Sequence, residues 1–396
     1  MVTKIRMGMV GGGQGAFIGA VHRMAAALDG QIELVCGAFS STAERSISAG
    51  QSLFLPSERC YPDYDTMFAE EAKLPASERM QFVAIVTPNH LHFPIAKRAF
   101  ESGFHVLSDK PATIDFDEAV ALKQEINKHQ KLYALSHTYT GYPLVKQAKY
   151  MVESGVLGKV VKVVVEYTQG WLASKDDEGS KQASWRLDPS RAGKSCCMGD
   201  IGVHAANLAE YVSCLNITEL CADIAPTVEG RQLDDDGTVM LRFANGARGA
   251  LLASQIQVGD ENNLRLRVIG EKRALEWSQL EPNTLWLKSQ NEPAQMIRTG
   301  VGEFGLHAQQ AVRTPAGHPE GYLEAFANIY QNFCRQIRAY EAGEPSTNTQ
   351  FDVPGINDAL RGMAFIDSVV AASASSEKWH PLDLRSVHRP ITVESK

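Results

Sequence analysis

The sequence predicts an α/β protein with a parallel sheet in its first domain and, in its second, an α+β domain built on a large, mainly antiparallel open sheet. The chain has 396 residues, which is too many for one ordinary hydrophobic core. Short apolar runs alternate with helical patterns up to residue 140, whereas later strand patterns follow one another without helices between them. Alternation is typical of parallel sheets, and consecutive strands favour antiparallel or mixed sheets. We therefore expect domains at 1–140 and 141–396.

Composition and charge limit the classes of function. Hydrophobic residues make up 44% of the chain and charged residues 21%, which is typical of a soluble globular protein. The net charge of −7 argues against a nucleic-acid partner, and no apolar run is long enough to span a membrane. The start of the chain leads directly into a strand pattern, so we expect no signal peptide. The seven cysteines are scattered without CxxC spacing, which favours a reducing, cytoplasmic setting.

The first element is a glycine-rich turn between a strand and a helix. A short apolar run at residues 5–10 leads into the turn, and apolar residues recur after it at spacings of three and four. Glycines suit a turn where a phosphate approaches the backbone, and the helix that follows points free N–H groups at a pyrophosphate. The alternative is a flexible glycine loop. The pattern predicts a Rossmann NAD(P)-binding domain, whose cofactor contacts are Gly11, Gly13, Gln14, Phe17 and Ile18.

The end of the second predicted strand, residues 32–38, bears on the choice between NAD and NADP. An acid at this place binds the adenosine ribose in NAD enzymes, but this chain has Ser40 and Ser41, with Arg45 shortly after them. Hydroxyl and guanidinium groups suit the 2′-phosphate of NADP better than a carboxylate does. Alternatively, Ser40 or Ser41 is the N-cap of the next helix. We therefore expect NADP to bind, with NAD as a usable alternative.

Two further strands end in polar loops at the edge of the predicted sheet where ligands bind in open parallel sheets. The run at 82–86 is followed by a loop that leads to His92 at the start of a helix, and the run at 104–107 is followed by Lys110. For His92 alone a structural role is the stronger interpretation, and an isolated lysine is usually a surface charge. Their context favours cofactor contacts at Thr87, Pro88, Asn89, His92, Asp109 and Lys110.

The second domain is predicted to begin with a helix at 142–154 that ends at Gly155, followed by a strand at 159–169. The valines expected on one face of that strand are Val161, Val163 and Val165. Further strands are predicted at 219–224, 237–243, 248–257, 264–269, 273–277 and 284–288, and late helices at 321–341 and 355–372.

A polar stretch without a regular pattern, residues 171–198, separates the first of these strands from the others. Irregular loops of this length are often functional. Its residues Trp185 and Arg186 could stack on and hydrogen-bond a polyol, or they could form a packing anchor. The stretch leads into a predicted helix in which Asp200 and His204 are four residues apart and project from one face. We expect no metal, because no further ligand has suitable spacing.

These motifs occur together in an order that resembles the Gfo/Idh/MocA family, named after glucose–fructose oxidoreductase, inositol dehydrogenase and a rhizopine-catabolism protein. The similarity covers nearly the whole chain, and the ordered set is a stronger signal than any single motif. The motifs are the glycine turn with Gly19-Ala20-Val21-His22, then Thr87-Pro88-Asn89-His90-Leu91-His92, Asp109-Lys110-Pro111, and Gly199-Asp200-Ile201-Gly202-Val203-His204.

The resemblance implies hydride transfer between a nicotinamide and a secondary alcohol or ketone of a sugar, sugar derivative or cyclitol. It identifies Lys110, Asp200 and His204 as catalytic by position, and it implies a cis peptide before Pro111. A histidine suits the task of general base, and a lysine can stabilise negative charge on oxygen. It also implies a homodimer or homotetramer through the second sheet. The substrate contacts that we expect are Lys110, Tyr139, Trp185, Arg186, Asp200 and His204.

The sequence departs from the family pattern in ways that leave the substrate and the cofactor phosphate open. The first glycine loop is longer than usual, the segment 138–143 lies where many relatives carry an arginine, and no acid occupies the position of Ser40. A non-catalytic NAD(P)-sensing regulatory protein on the same fold is the alternative function, because fold alone does not determine activity. Such a sensor has no need to keep Lys110, Asp200 and His204 together.

Overall fold

The structure, a computed structural model, describes residues 3–175, 181–382 and 384. A parallel sheet of five strands occupies the first part of the chain. Its strands are β1 (Ile5–Gly11), β2 (Ile32–Ala38), β3 (Phe82–Val86), β4 (His105–Ser108) and β5 (Tyr133–Leu135). Their order across the sheet is β2-β1-β3-β4-β5, so the carboxyl ends of all five lie at one edge.

Helices cover this sheet and connect its strands. They are α1 (Phe17–Leu28), α2 (Ala43–Ser52), α3 (Tyr64–Glu71), α4 (His92–Glu101) and α5 (Phe116–His129). All five residues of β3 are buried, as expected for a strand that is covered on both faces. Asp115 caps α5, because its carboxylate accepts a hydrogen bond of 2.9 Å from the backbone N–H of Glu118. Thr42 precedes α2 as its N-cap, so the interpretation of Ser40 or Ser41 as the cap was wrong.

The second sheet has nine strands. They are β6 (Val160–Thr168), β7 (Ile217–Ala225), β8 (Asp236–Phe243), β9 (Arg248–Ser254), β10 (Asn263–Gly270), β11 (Ala274–Ser278), β12 (Thr284–Lys288), β13 (Gln295–Arg298) and β14 (His380–Pro381). Their order is β13-β12-β11-β10-β6-β9-β8-β7-β14. The pair β6–β9 is parallel and the other pairs are antiparallel. The predicted fold class is therefore confirmed.

One prediction within this sheet was wrong. Val163 and Val165 are buried, but Val161 is exposed. In the pairing of β6 with β10, Ile269 faces Lys162 whereas Gly270 faces Val160, so Val161 is an extra residue in a β-bulge. A bulge interrupts the two-residue alternation of a strand, and the side chains before it change face.

The remaining α-helices follow β5 in the chain. They are α6 (Pro143–Glu153), α7 (Lys181–Arg186), α8 (Pro189–Ala192), α9 (Val203–Ser213), α10 (Leu306–Gln310), α11 (Tyr322–Glu341), α12 (Asn348–Phe351) and α13 (Ile356–Ser373). The stretch predicted to be irregular thus contains α7 and α8, and a π-helical turn, Met198–Gly202, precedes α9. In the described ranges, no helix is long and apolar enough to cross a bilayer.

Helix α11 packs on the first sheet although it comes after the second sheet in the chain. Its buried Phe333 meets Phe82 of β3 edge-on, with ring centroids 5.5 Å apart. Its Tyr330 hydroxyl lies 2.6 Å from Nδ1 of His22 on α1. The last third of the chain therefore completes the core beneath the first sheet.

Candidate functional site

A cavity of about 1200 Å³ extends from the glycine turn after β1 to the second sheet. It runs along the carboxyl ends of β1, β2 and β3, passes the loop after β4, and reaches the π-helical turn and β6. Most of the residues predicted to bind cofactor or substrate line it. They are Gly11, Gly13, Phe17, Ile18, Ser40, Ser41, Thr87, Pro88, Asn89, Asp109, Lys110, Tyr139, Trp185, Arg186, Asp200 and His204.

The glycine turn packs too closely against α1 and the loop after β2 to accept side chains, and its glycines line the cavity. A Cβ added to Gly13 would lie 2.5 Å from the carbonyl oxygen of Phe39, and a Cβ on Gly19 would lie 2.3 Å from Cα of Gly12. Gly11 and Gly12 have φ angles of +85° and +70°, which side chains rarely tolerate. At the N-cap of α1, Ala16 supplies no side-chain hydrogen bond, so the first N–H groups of the helix remain available to a ligand. The turn therefore fits a dinucleotide pyrophosphate.

Three residues predicted to contact the cofactor, Gln14, Arg45 and His92, do not line the cavity. His92 is fully buried behind its wall, with Nδ1 2.7 Å from the carbonyl oxygen of Pro111 and Nε2 2.8 Å from that of Thr87. His92 thus contacts both the loop after β3 and the loop after β4 through its two ring nitrogens. Arg45 is exposed in the first turn of α2.

Lys110 and Asp200 form a close ion pair at the end of the cavity away from the glycine turn. Nζ of Lys110 donates to the carbonyl oxygen of Asp200 at 2.6 Å and to its carboxylate Oδ1 at 2.7 Å. The peptide bond between Lys110 and Pro111 is cis, as the resemblance implied. Because the lysine follows β4 and the acid lies in the π-helical turn, this pair links the loop after β4 to the segment that precedes α9.

The second carboxylate oxygen of Asp200 is also bound. Oδ2 accepts a hydrogen bond of 3.0 Å from Nε2 of Gln255, a fully buried residue just after β9, and lies 3.2 Å from Nε of Arg186. Burial by itself would raise the pKa of Asp200, but the positive charges of Arg186 and Lys110 outweigh it and lower the pKa below its usual value. Asp200 is therefore a carboxylate with both oxygens held in place.

A buried carboxylate fixes the π-helical turn that carries Asp200. Asp234 accepts hydrogen bonds of 2.9 to 3.0 Å from the Ser195 hydroxyl and from the backbone N–H groups of Cys196 and Met198. π-Helical turns are rare and often occur at functional sites. Here the turn brings Asp200 towards Lys110 while α9 carries His204 to the same end of the cavity.

His204 is a buried neutral base at the wall of the cavity. Burial, together with Lys110, lowers its pKa well below the usual value. Its Nδ1 lies 3.4 Å from Nδ1 of His137, a second buried histidine that follows β5. Its ring meets the ring of Tyr139 edge-on, and the hydroxyl of Tyr139 hydrogen-bonds that of Tyr167. A neutral imidazole can accept a proton at physiological pH.

The sequence did not indicate that Gln255 contacts Asp200 or that His137 contacts His204. Gln255 belongs to no motif, and His137 follows a short apolar strand without the glycine or proline context that marks the other loops. A prediction of the sheet order beyond β4 would have placed His137 beside Lys110, because β4 and β5 are neighbours. No group of three potential metal ligands is close enough to hold a metal ion among the residues described.

The fold and the site together define a class of protein. A glycine cradle at one end of the cavity, and a lysine, a carboxylate and a neutral imidazole at the other, are the parts of an NAD(P)-dependent dehydrogenase that acts on CH–OH groups. Residues 5–137 match the oxidoreductase family with an NAD-binding Rossmann fold, and residues 145–276 match the GFO/IDH/MocA C-terminal domain. The chain therefore belongs to the GFO/IDH/MocA family of oxidoreductases, and the resemblance noted in its sequence is confirmed.

Several relatives match most of the chain. An uncharacterized oxidoreductase of Bacillus subtilis is 34% identical over 381 residues, which are 95% of this chain and 96% of that protein. The structure of an inositol dehydrogenase homologue from Azotobacter vinelandii with NAD+ has a TM-score of 0.92 and 32% identity, covering 96% of this chain and 98% of that one. The same homologue is also known with NADH and myo-inositol. A levoglucosan dehydrogenase of Pseudarthrobacter phenanthrenivorans is 26% identical over 75% of this chain and 78% of that protein.

Proposed function

We propose that this dehydrogenase transfers a hydride between a nicotinamide cofactor and a secondary alcohol or ketone of a sugar, sugar derivative or cyclitol. The observation that carries the proposal is the meeting of Lys110, Asp200 and His204 at one end of a cavity whose other end is the glycine cradle. A bound nicotinamide would supply the hydride acceptor for alcohol oxidation. The chain has to bind the alcohol, orient it and take its proton.

Each of the three residues suits one of these tasks. His204, neutral at physiological pH, accepts the hydroxyl proton of the substrate. The ammonium of Lys110 hydrogen-bonds the same oxygen and stabilises the negative charge that develops on it. Asp200 holds Lys110 in place through two contacts and is itself held by Gln255 and Arg186. Proton removal is thus the task of His204, and charge stabilisation is the task of Lys110.

The substrate end of the cavity supports a polyhydroxylated ligand. Its wall offers hydroxyl and amide groups that can donate and accept hydrogen bonds, and the indole of Trp171 lies beside them. These polar residues are Tyr139, Tyr167, Gln169, Asn262 and Gln279. The relatives named for myo-inositol and levoglucosan act on or bind compounds of this kind. We place the predicted contacts Tyr139, Trp185 and Arg186 in the same wall.

The proposal is tested by turnover of a panel of sugars and cyclitols, including myo-inositol and levoglucosan, with each cofactor. Reduced cofactor is followed by its absorbance. Lys110→Ala should lower turnover by about 10²- to 10³-fold, because an oxyanion loses its donor, while cofactor affinity stays within about twofold. Lys97→Ala, an exposed lysine on α4, is the control and should behave as wild type. Full turnover by Lys110→Ala would contradict the assignment.

We further propose that NADP is the preferred cofactor and NAD a usable one. Ser40 and Ser41 line the cavity after β2, where the adenosine ribose is expected. A carboxylate at this place would repel a 2′-phosphate, and its absence removes that repulsion. The guanidinium of Arg45 has to turn towards the cavity to contact the phosphate, since the side chain is exposed on α2. The relative from Azotobacter vinelandii has NAD+ bound, so this preference needs its own test.

Binding titrations of NAD and NADP on the wild type and on Arg45→Ala test the cofactor preference. Arg45→Ala should weaken NADP by several-fold and leave NAD unchanged, because only the 2′-phosphate gains a charge-assisted bond. Lys97→Ala again serves as the charge-matched control. Equal NADP affinity in wild type and Arg45→Ala, or a wild-type preference for NAD, would contradict the proposal.

We also propose that residues 1–140 bind the cofactor, that 141–396 bind substrate and form a homodimer or homotetramer, and that the enzyme works in the cytoplasm. Exposed apolar side chains on the outer face of the second sheet, Val161, Met240 and Met296, support association through that sheet. The free thiols of all seven cysteines suit a reducing compartment. Light scattering should give a multiple of the chain mass of 43.3 kDa, and a monomer would contradict the assembly.

A further inference from the structure

Two buried histidines face each other behind the catalytic end of the cavity. Nδ1 of His137 lies 3.4 Å from Nδ1 of His204, and the rings are nearly perpendicular at 79°. His137 is 1% exposed and does not line the cavity. Its Nε2 is buried and finds no hydrogen-bond partner in the ranges that the structure covers. Within those ranges, the side-chain hydrogen bonding of His137 is therefore directed at His204.

The contact constrains where His204 carries its hydrogen. A neutral imidazole has one N–H donor and one acceptor nitrogen, so one of the two facing Nδ1 atoms must donate to the other. If His137 donates, His204 carries its hydrogen on Nε2, and that nitrogen cannot accept a proton from a substrate. If His204 donates from Nδ1, its Nε2 has a free lone pair. Because Nδ1 faces His137, Nε2 is the nitrogen of His204 that is left for the cavity.

We propose that His137 is a positioning residue for the dehydrogenase reaction, which accepts the Nδ1–H hydrogen bond of His204 and so directs Nε2 of His204 towards the substrate as the base. This inference rests on the proposed function, in which His204 removes the hydroxyl proton. During oxidation the substrate O–H bond breaks and its proton forms an N–H bond at Nε2 of His204. A bound nicotinamide would accept the hydride of the carbinol carbon, and Nδ1–H of the imidazolium continues to donate to His137.

The same contact stabilises the protonated base. An imidazolium N–H is a stronger donor than a neutral one, so an acceptor at Nδ1 favours the charged form of His204 and raises its proton affinity within the site. Other groups act on His204 from each element around it. They are Asp109 and Lys110 after β4, Asp200 in the π-helical turn, Tyr139 after β5, and Tyr167 on β6. A substitution at His137 leaves all these groups in place. The effect of His137 on His204 can therefore be separated from theirs.

Two variants at one position test the inference. His137→Phe keeps an aromatic ring and removes the acceptor, whereas His137→Asn keeps an acceptor near the position of Nδ1. The rates kcat and kcat/KM are measured against pH for the wild type, both variants and His204→Asn. The substrate is the member of the panel with the highest turnover, starting with myo-inositol. Histidine-selective 15N NMR of the full chain reports the tautomer of His204 without turnover.

We expect His137→Phe to lower kcat by about 10- to 100-fold with little change in KM, as for other partners that orient a functional histidine. The acid limb of its pH profile should move to lower pH, because the imidazolium loses its acceptor. His137→Asn should retain most of the rate and the wild-type limb. In the NMR spectrum, His204 should carry its hydrogen on Nδ1 in the wild type and on Nε2 in His137→Phe.

Each contrary result has a distinct meaning. Wild-type turnover by His204→Asn would overturn the assignment of the base and with it the proposed function. Loss of turnover in His204→Asn together with unchanged kcat and pH profile in His137→Phe would overturn only the role of His137. Equal losses in His137→Phe and His137→Asn would also overturn it. If His137→Phe does not fold, an Nε2–H tautomer of His204 in the wild type decides against the inference.

Discussion

With His204 as the proposed general base, its charge state sets the expected response of the reaction to acid. As a general base, His204 is active when neutral, so kcat for alcohol oxidation falls as pH decreases through its pKa. Burial and the nearby Lys110 lower that pKa well below the ordinary histidine value. The acid limb of the kcat profile should therefore lie below about pH 6.5, the usual midpoint for histidine. A limb above that value would contradict the environment described for His204.

Replacing the base tests this assignment directly. His204→Asn should lower kcat by about 10²- to 10⁴-fold, the usual contribution of a general base, and should abolish the acid limb. The exposed His318 provides a matched control, since His318→Asn leaves the cavity unchanged. A His204→Asn profile that keeps both the rate and the limb would assign the titration to another group.

At the residue scale, the sequence identifies groups that lie in motifs and misses those that act through the fold. Lys110, Asp200 and His204 stand in recognisable local contexts, and the structure brings them to one end of the cavity. Gln255 holds Asp200 from the end of β9, and His137 reaches His204 from the end of β5. Such contacts depend on which strands are neighbours, and that order is not contained in local patterns.

At the scale of elements, α1 can pack closely against the glycine turn because the two residues at the contact, Gly12 and Gly19, have no side chains. A Cβ on Gly19 would lie 2.3 Å from Cα and 2.6 Å from the carbonyl oxygen of Gly12. Because the obstructing atoms are backbone, the helix has to shift away from the turn. Gly19→Ala should thus weaken cofactor binding by at least about tenfold, a free-energy change of about 1.4 kcal/mol, measured by titration.

Gly30→Ala is the control for Gly19→Ala, because it introduces backbone strain without steric overlap. Gly30 follows the same helix, has a φ of +64°, and has no atom within 4 Å of an added Cβ. Its substitution should cost about 1–2 kcal/mol of unfolding free energy through the left-handed backbone alone and leave cofactor affinity unchanged. Equal cofactor affinities for Gly19→Ala and Gly30→Ala would show that a shift of α1 does not affect cofactor binding.

Element bounds were predictable where one periodicity runs through the segment. The structure has β3 at the predicted residues and α11 within one residue of the predicted bounds. Two of the exceptions are places where tertiary structure overrides a local pattern. A bulge turns Val161 outward, and the carboxylate of Asp234 holds a π-helical turn where an ordinary helix start was expected. Both depend on a partner strand or loop that is distant in sequence.

At the scale of the whole molecule, α11 comes after most of the second sheet in the chain but packs into the core of the first sheet. Phe333 is fully buried there against Phe82. Phe333→Ala should lower the free energy of unfolding by about 3–5 kcal/mol, the usual cost of removing a buried phenylalanine, measured by denaturant unfolding. Gln331→Ala, at a half-buried position of the same helix, should change it by about 0.5 kcal/mol or less. Similar values for the two variants would contradict this account of the core.

The position of α11 also has a consequence for synthesis on the ribosome. The last strand of the first sheet ends at Leu135, but α11, which covers one face of the sheet together with α1, begins only at Tyr322. At a translation rate of about 5–20 residues per second, the segment between them takes about 10–40 s to emerge. During that interval the part of this face that α11 covers, including Phe82, lacks its native cover. Newly made chains should therefore depend on chaperones that shield apolar surface until translation passes α11.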